Sequence, residues 1–150
     1  MLRGLRVVVS GMALAAFTLA GAGVAAAQEP AAPAKPVLTL DGDAAVITFL
    51  IKPDKTADFE GVVAKLKEAL GKSDKAERKA QLAGLKFFKS PQAVNNSAVY
   101  ILMVDPVVKD QEYDITRLIA EVFPVEVQEV FQKYKDAFAG RAITILNKVP

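Results

Sequence analysis

The chain has 150 residues, 52% of them hydrophobic, and it contains no histidine, cysteine or tryptophan. The missing histidine and cysteine exclude thiol nucleophiles, the usual zinc sites and the commonest general base. A formal net charge of +2 gives no indication of nucleic-acid binding.

The N-terminus has the pattern of a secretory signal peptide. Arg3 and Arg6 precede a long uncharged run, and three alanines ending at Ala27 precede Gln28. This pattern predicts a signal peptide over residues 1–27, whose removal brings the formal net charge to zero. A retained membrane anchor is the alternative, but the run is only weakly hydrophobic. We therefore expect an exported protein, periplasmic or secreted, with no membrane contact after cleavage.

A short linker separates this segment from one domain. Residues 28–38 are rich in alanine and proline, which predicts an extended tether and a folded domain over residues 39–150. The Asp41-Gly42-Asp43 sequence is interpreted as a turn, because the loop spacing and closing glutamate of an EF-hand calcium site are missing.

The first strand and helix of the domain follow that turn. Side chains alternate from Ala45 to Lys52, which predicts a strand with two usable faces, and Pro53 ends it. Thr56 is the predicted N-cap of a helix that Gly71 ends. Its apolar residues recur at helical spacing: Phe59, Val62, Val63, Leu66, Ala69 and Leu70.

The middle of the chain predicts a polar helix and two strands. Residues 75–83 follow a capping-box pattern, and LKFFK at 85–89 and AVYILMV at 98–104 have strand composition. The connection between the two strands contains Asn95 and Asn96, but its length predicts a turn that is not tight.

The last third predicts a broken helix and a final strand. Asp114 is the predicted cap, Pro124 interrupts the helix and Gly140 ends its second part. The alternating RAITILNK sequence at 141–148 predicts the fourth strand.

The order of elements predicts an α+β, ferredoxin-like βαββαβ domain. The four-stranded antiparallel sheet has the first and third strands at its centre and two main helices on one face. The helix-covered face is predicted to hold Ile47, Phe49, Ile51, Ile101, Met103, Ile143 and Ile145, packed on Phe59, Val63, Leu66, Phe131 and Tyr134. By parity, the other face is predicted to hold Val46, Thr48, Leu50, Phe88, Tyr100, Leu102, Val104, Thr144 and Leu146.

That second face is too apolar for a sheet open to water. Burying about 500 Å² of such surface is worth on the order of 10 kcal/mol at roughly 25 cal/mol per Å², before the costs of association. A second copy of the same sheet is the natural cover, so we expect a two-fold symmetric homodimer around a closed or nearly closed barrel.

Three segments carry a resemblance to a known superfamily: ITFLIKPDKTADFEGVVAKLKEAL, VYILMVDP and RAITILNK. Together they resemble the dimeric α/β barrel superfamily, which includes antibiotic-biosynthesis monooxygenase-like domains. The resemblance implies a homodimer with a small cavity between sheet and helices in each subunit. Members of the superfamily degrade haem, oxidise polycyclic aromatics without a cofactor, or have no known catalysis. This chain has no histidine to ligate haem iron; Asn95 and Asn96 are candidates for holding an oxygen intermediate, or are simply turn residues.

The predicted pocket residues are those of the second face that combine hydroxyls with apolar neighbours: Thr48, Phe88, Tyr100, Leu102 and Thr144. Buried hydroxyls need partners, so they either orient a small apolar ligand or bond each other or a partner subunit. No catalytic residue, metal or cofactor is predicted.

Two functions remain open. The chain is either an exported, non-catalytic binding or structural module, or a cofactor-independent monooxygenase-like enzyme acting on a small aromatic substrate, with Tyr100 or an asparagine orienting it.

Overall fold

The computed structural model describes residues 35–150; the predicted signal peptide and most of the predicted linker lie outside that range. The described residues form four strands and four α-helices, with a 3-10 turn at Pro53–Lys55. The strands are β1 (Ala44–Ile51), β2 (Leu85–Lys89), β3 (Ala98–Val104) and β4 (Phe138–Leu146). The helices are α1 (Thr56–Lys72), α2 (Ala76–Gly84), α3 (Ile115–Ala120) and α4 (Val127–Ala137).

The strands form one antiparallel sheet in the order β2-β3-β1-β4. The α+β class and the central position of β1 and β3 are therefore confirmed, and the arrangement is compatible with a ferredoxin-like fold. The short polar helix is α2, and Pro124 falls between α3 and α4 as predicted. Asp114 caps α3 by accepting hydrogen bonds from the backbone N–H groups of Thr116 and Arg117.

Strand β1 alternates as the sequence predicts. Ala45, Ile47, Phe49 and Ile51 are buried beneath the helices, while the residues between them are only partly buried. Helix α1 closes over this face with all six of its predicted apolar residues buried. Thr56 is the first residue of α1 rather than its cap, because the 3-10 turn brings Lys55 to the capping position.

The predicted parity of β3 is wrong. Tyr100 lies opposite Phe49 and Leu102 opposite Ile47, with only 4% and 3% of their surfaces exposed, so both belong to the helix-covered face. Val104 lies there too, and Ile101 and Met103 lie on the other side. The AVYILMV segment has no charged residue to mark its outer side, so parity depends on the register, and a shift of one residue exchanges the two faces.

The β2–β3 connection ends in a tight turn that the sequence reading missed. Val94 and Ser97 are bridged by backbone hydrogen bonds in both directions, and Asn95 and Asn96 between them have φ angles of 48° and 58°. Two successive left-handed residues are typical of a type I′ turn, for which asparagine is well suited. The interpretation of these asparagines as turn residues is therefore confirmed.

The junction of α4 and β4 differs from the prediction. Helix α4 ends at Ala137, β4 begins directly at Phe138, and Gly140 lies within the strand. The Ala137 carbonyl accepts a hydrogen bond from Lys52 N–H just beyond β1. Pairing with β1 therefore begins as soon as the helix ends. Phe131, predicted to pack on the sheet, is 42% exposed, whereas Tyr134 packs against Phe59 with ring centroids 6.3 Å apart.

The end of the predicted linker is bound to the domain. The buried Glu112 carboxylate accepts hydrogen bonds from the N–H groups of Val37, at 2.8 Å, and Leu38, at 3.0 Å. It also accepts from the N–H groups of Tyr113 and Asp114. One carboxylate therefore satisfies four backbone donors and joins the start of the domain to the segment before α3.

Replacing Glu112 with alanine is expected to lower the free energy of unfolding by about 3 kcal/mol, because it leaves several backbone donors without their acceptor. Urea denaturation followed by circular dichroism measures the change. Glu129→Ala is the control, since that side chain is exposed and pairs only with Lys133; it should change stability by less than about 0.5 kcal/mol. Equal losses in the two variants would contradict the anchoring role of Glu112.

The surroundings of Gly42 and Gly61 predict opposite effects of a glycine-to-alanine substitution. A Cβ at Gly42 would lie 2.5 Å from Ile145 Cγ2 and 2.6 Å from the Leu146 carbonyl oxygen, so Gly42→Ala should destabilise the fold by about 1–3 kcal/mol. A Cβ at Gly61, inside α1, would meet nothing within 4 Å, so Gly61→Ala should stabilise the fold by about 1 kcal/mol. Thermal unfolding midpoints that move in the same direction would refute this pair.

Candidate functional site

A shallow pocket opens to solvent where α1 crosses the β2 edge of the sheet. Its volume is about 230 Å³, and we call it the edge pocket. It is lined by Glu60 and Val63 from α1, Phe87, Phe88 and Lys89 from β2, and Tyr100 from β3. The β2–β3 register brings Lys89 opposite Tyr100, so one cross-strand pair supplies both polar side chains of the sheet wall.

Three polar side chains meet at one oxygen in this pocket. The Tyr100 hydroxyl donates to Glu60 Oε1 at 2.5 Å, and Lys89 Nζ donates to the same oxygen at 2.9 Å. Lys89 Nζ also lies 5.3 Å from the Tyr100 ring centroid, within range of a cation–π interaction. The Tyr100 ring is buried against Phe59, at 4.9 Å between centroids, and its hydroxyl bonds to Glu60, an exposed residue of α1.

The hydrogen bonds within this group stabilise the protonation state that each of its three members has at neutral pH. Hydrogen bonds from Tyr100 and then Lys89 lower the pKa of Glu60, and the bond to Glu60 raises the pKa of Lys89. Burial and then the Glu60 hydrogen bond raise the pKa of Tyr100. At neutral pH the group is therefore a carboxylate, an ammonium and a neutral phenol. None of the three is tuned to exchange a proton near neutrality, as a general acid or base would be.

The structure does not gather the five predicted pocket residues into one place. Tyr100 and Phe88 line the edge pocket. Leu102 is buried under the helices, and Thr48 and Thr144 lie on the opposite side of the sheet, on the neighbouring strands β1 and β4.

Four residues of the edge pocket were missed from the sequence, and two of them, Glu60 and Lys89, are polar. Glu60 has the ordinary pattern of an exposed helix residue, and Lys89 that of a strand end. They lie 29 residues apart in the chain, and only the packing of α1 across β2 joins them. The pairing of Lys89 with Tyr100 becomes predictable once the β2–β3 register is known.

The other buried polar side chains of residues 35–150 are occupied by structural bonds. The buried Arg78 guanidinium binds both carboxylate oxygens of Glu121, at 3.0 and 2.6 Å, and donates to Gln81 and Gln111. Hydrogen bonding to Arg78 lowers the pKa of Glu121. No buried side-chain donor or acceptor in the described part of the chain lacks a partner, and no three acidic residues there are grouped to hold a metal ion.

The side of the sheet away from the helices is the second candidate surface, and we call it the open face. Its side chains are Ala44, Val46, Thr48 and Leu50 of β1, Lys86 and Phe88 of β2, Val99, Ile101 and Met103 of β3, and Ala142, Thr144 and Leu146 of β4. Lys86 carries its only charge. The change of parity in β3 exchanged one set of apolar residues for another, so the predicted apolar character is retained.

Comparison of the chain with protein-family models, curated proteins and solved structures finds no match. The resemblance to the dimeric α/β barrel superfamily therefore stays a prediction. Within residues 35–150, none of the helices combines the length and the hydrophobicity needed to cross a bilayer.

Removing the Tyr100 hydroxyl should raise the pKa of Glu60, because that hydrogen bond is the main cause of its lowering. The lowered value means that the Glu60 contribution to stability is present above the ordinary glutamate pKa and is lost as pH falls through the folded-state value. Tyr100→Phe should weaken that acid-range dependence. Carboxyl-detected NMR titration measures both residues at once: Glu60 should move, and Glu129, held by Lys133, should not. An unchanged Glu60 titration would contradict the geometry.

Proposed function

We propose that this chain is an exported, non-catalytic module that works as a homodimer through its open face and binds a small apolar ligand in the edge pocket. One observation carries the proposal: an apolar surface that extends over all four strands with a single charged side chain at its β2 end. Antiparallel sheets that face water on one side normally alternate apolar and polar residues, and this one does not.

A second copy is the cover that fits this surface best. The face has almost no charge or hydrogen-bonding pattern through which a different partner would be recognised. Two copies related by a two-fold axis present the same apolar patch to each other, and this satisfies an isologous interface without further complementarity. Lys86 lies on the edge strand β2, where it can stay in water at the rim.

The size of the face sets a limit on the interface. Four strands about 4.8 Å apart and about seven residues long at 3.4 Å each cover roughly 450 Å². Two copies would bury roughly 900 Å², below the 1,200 Å² at the lower end of standard interfaces. The flat face therefore accounts for the centre of a stable interface but not for all of it.

The edge pocket supports ligand binding better than catalysis. Val63 and Phe87 supply an apolar lining, and the Lys89 ammonium beside it has donors not used by Glu60. Cofactor-independent oxygenation requires a site that positions the substrate and excludes water. The edge pocket is open to solvent, and the Tyr100 hydroxyl already donates a hydrogen bond to Glu60, so no observation favours the monooxygenase-like alternative.

A charge at the centre of the open face should separate the dimer. Ile101→Glu would force a carboxylate into the apolar interface at a cost of about 3 kcal/mol or more, equivalent to at least a 100-fold weaker dimer. Native mass spectrometry and light scattering across a dilution series measure this. Val125→Glu is the matched control, because Val125 is an apolar residue that is 90% exposed and lies outside the sheet, in the turn before α4.

We expect a dimeric wild type, a dimeric Val125→Glu variant and a folded, monomeric Ile101→Glu variant. A wild type that is monomeric at every concentration would remove the basis of the proposal.

A further inference from the structure

The edge pocket lies between two short rows of side chains. Glu60, Val63 and Lys67 follow one another at helical spacing along α1, and Phe87 and Lys89 point to the same side of β2. Lys67 adjoins the pocket from the end away from Glu60, with its Nζ 5.6 Å from the Phe87 ring centroid. The pocket is therefore apolar in its middle, at Val63 and Phe87, and has charged side chains at both ends.

The charges at the two ends differ in whether they are compensated. At one end, Lys89 Nζ donates to Glu60 Oε1 at 2.9 Å, so a positive and a negative charge offset each other. At the other end, Lys67 takes part in none of the ion pairs formed within residues 35–150. The other two lysines of α1, Lys65 and Lys72, both have carboxylate partners. Lys67 is therefore an uncompensated, exposed ammonium beside an apolar surface.

We infer that the edge pocket takes a small amphipathic anion, a monocarboxylate with an apolar body, and that Lys67 binds its carboxylate. This inference rests on the ligand binding proposed for the edge pocket and adds the charge of the ligand. The apolar body lies on Val63 and Phe87, where removal of apolar surface from water favours binding. A carboxylate bound at the Lys89 end would lie beside Glu60, and like charges about 4 Å apart repel each other. The Lys67 end has no such competitor among the pocket residues.

The dimensions of the pocket set the size of the ligand. A volume of about 230 Å³ holds roughly eight non-hydrogen atoms, at about 30 Å³ for each water-sized group. Glu60 and Lys67 are two helical turns apart on α1, which is about 10 Å at about 1.5 Å per residue. Hexanoate is a carboxylate of this size. With its carboxylate at Lys67, its chain covers Val63 and Phe87 and ends against the Tyr100 ring and the methylene stem of Lys89.

A pair of matched ligands tests the charge of the ligand. Hexanoate and hexanamide have the same chain and nearly the same shape, but only hexanoate is charged. At low ionic strength, where exposed charges are least screened, hexanoate should bind the natural chain about five-fold more tightly, as expected of one exposed ion pair. NMR titration measures both dissociation constants, and shifts of the Val63, Phe87 and Lys89 amides show whether the ligand lies in the edge pocket.

Two variants that change the charge of the pocket in opposite directions test the part of Lys67. Lys67→Met keeps an unbranched side chain and removes its charge, so it should weaken hexanoate binding about five-fold and leave hexanamide binding unchanged. Glu60→Gln removes the negative charge at the other end and should strengthen hexanoate binding by about two-fold or more. Lys135→Met is the control and should change neither ligand, because Lys135 is an exposed lysine of α4 that also forms no ion pair within residues 35–150.

The possible results separate this inference from the proposed function. If hexanamide binds in the edge pocket as tightly as hexanoate, or if Lys67→Met binds hexanoate as well as the natural chain does, the anionic ligand is refuted and the apolar pocket stands. If neither ligand shifts the amides of the pocket well above the millimolar concentrations expected for so small a ligand, ligand binding in the edge pocket is refuted as well. The dilution series on the open face measures the homodimer independently of both.

Discussion

Phe59 is the side chain on which this fold is built. Its ring lies within 5.4 Å of Phe49, 4.9 Å of Tyr100 and 6.3 Å of Tyr134, measured between centroids. These rings come from β1, β3 and α4, so a single residue of α1 contacts both central strands and the other main helix. Aromatic contacts at these distances add specific geometry to the burial of area. The next residue in α1 is Glu60, so the packing that buries Phe59 also holds Glu60 at the surface, within reach of the Tyr100 hydroxyl.

The local elements were predictable because their signals are local. Both strands of the hairpin have the residues predicted for them, and the cap of α3 and the proline break follow from residues next to them in the chain. The β3 parity was not predictable, because both faces of an uninterrupted apolar strand are hydrophobic. Only the register with its partner strand decides which face is buried. The end of α4 was misplaced for a related reason: Gly140 is a common helix terminator, but the β1 ladder takes up the chain at Phe138 first.

The edge pocket and the Glu112 anchor were out of reach of sequence reasoning for a different reason. Glu112 binds Leu38 across 74 residues, and Glu60 binds Tyr100 across 40. Each contact joins a residue typical of an exposed position to a partner that only the folded chain brings near. Composition and residue spacing do not predict such pairs. The apolar character of the open face, in contrast, was predicted although the parity of β3 was wrong, because both possible sets of β3 residues are hydrophobic.

The distribution of charge separates two kinds of surface on this domain. The ion pairs of residues 35–150 all involve residues of the helices or of the turns that lead into them, such as Lys65 with Glu126 and Lys133 with Glu129. None lies on the open face, where the single charge, Lys86, belongs to an edge strand. Exposed ion pairs add little stability, but they keep a surface hydrated and weaken non-specific association. A chain that places its charges on one side and leaves an apolar sheet on the other has one side suited to water and one suited to a partner. Strand β4 lies where these two surfaces meet: Thr144 and Leu146 belong to the open face, whereas Ile143 and Ile145 point to the helix side and stay partly exposed because the helices bury β1 and not β4.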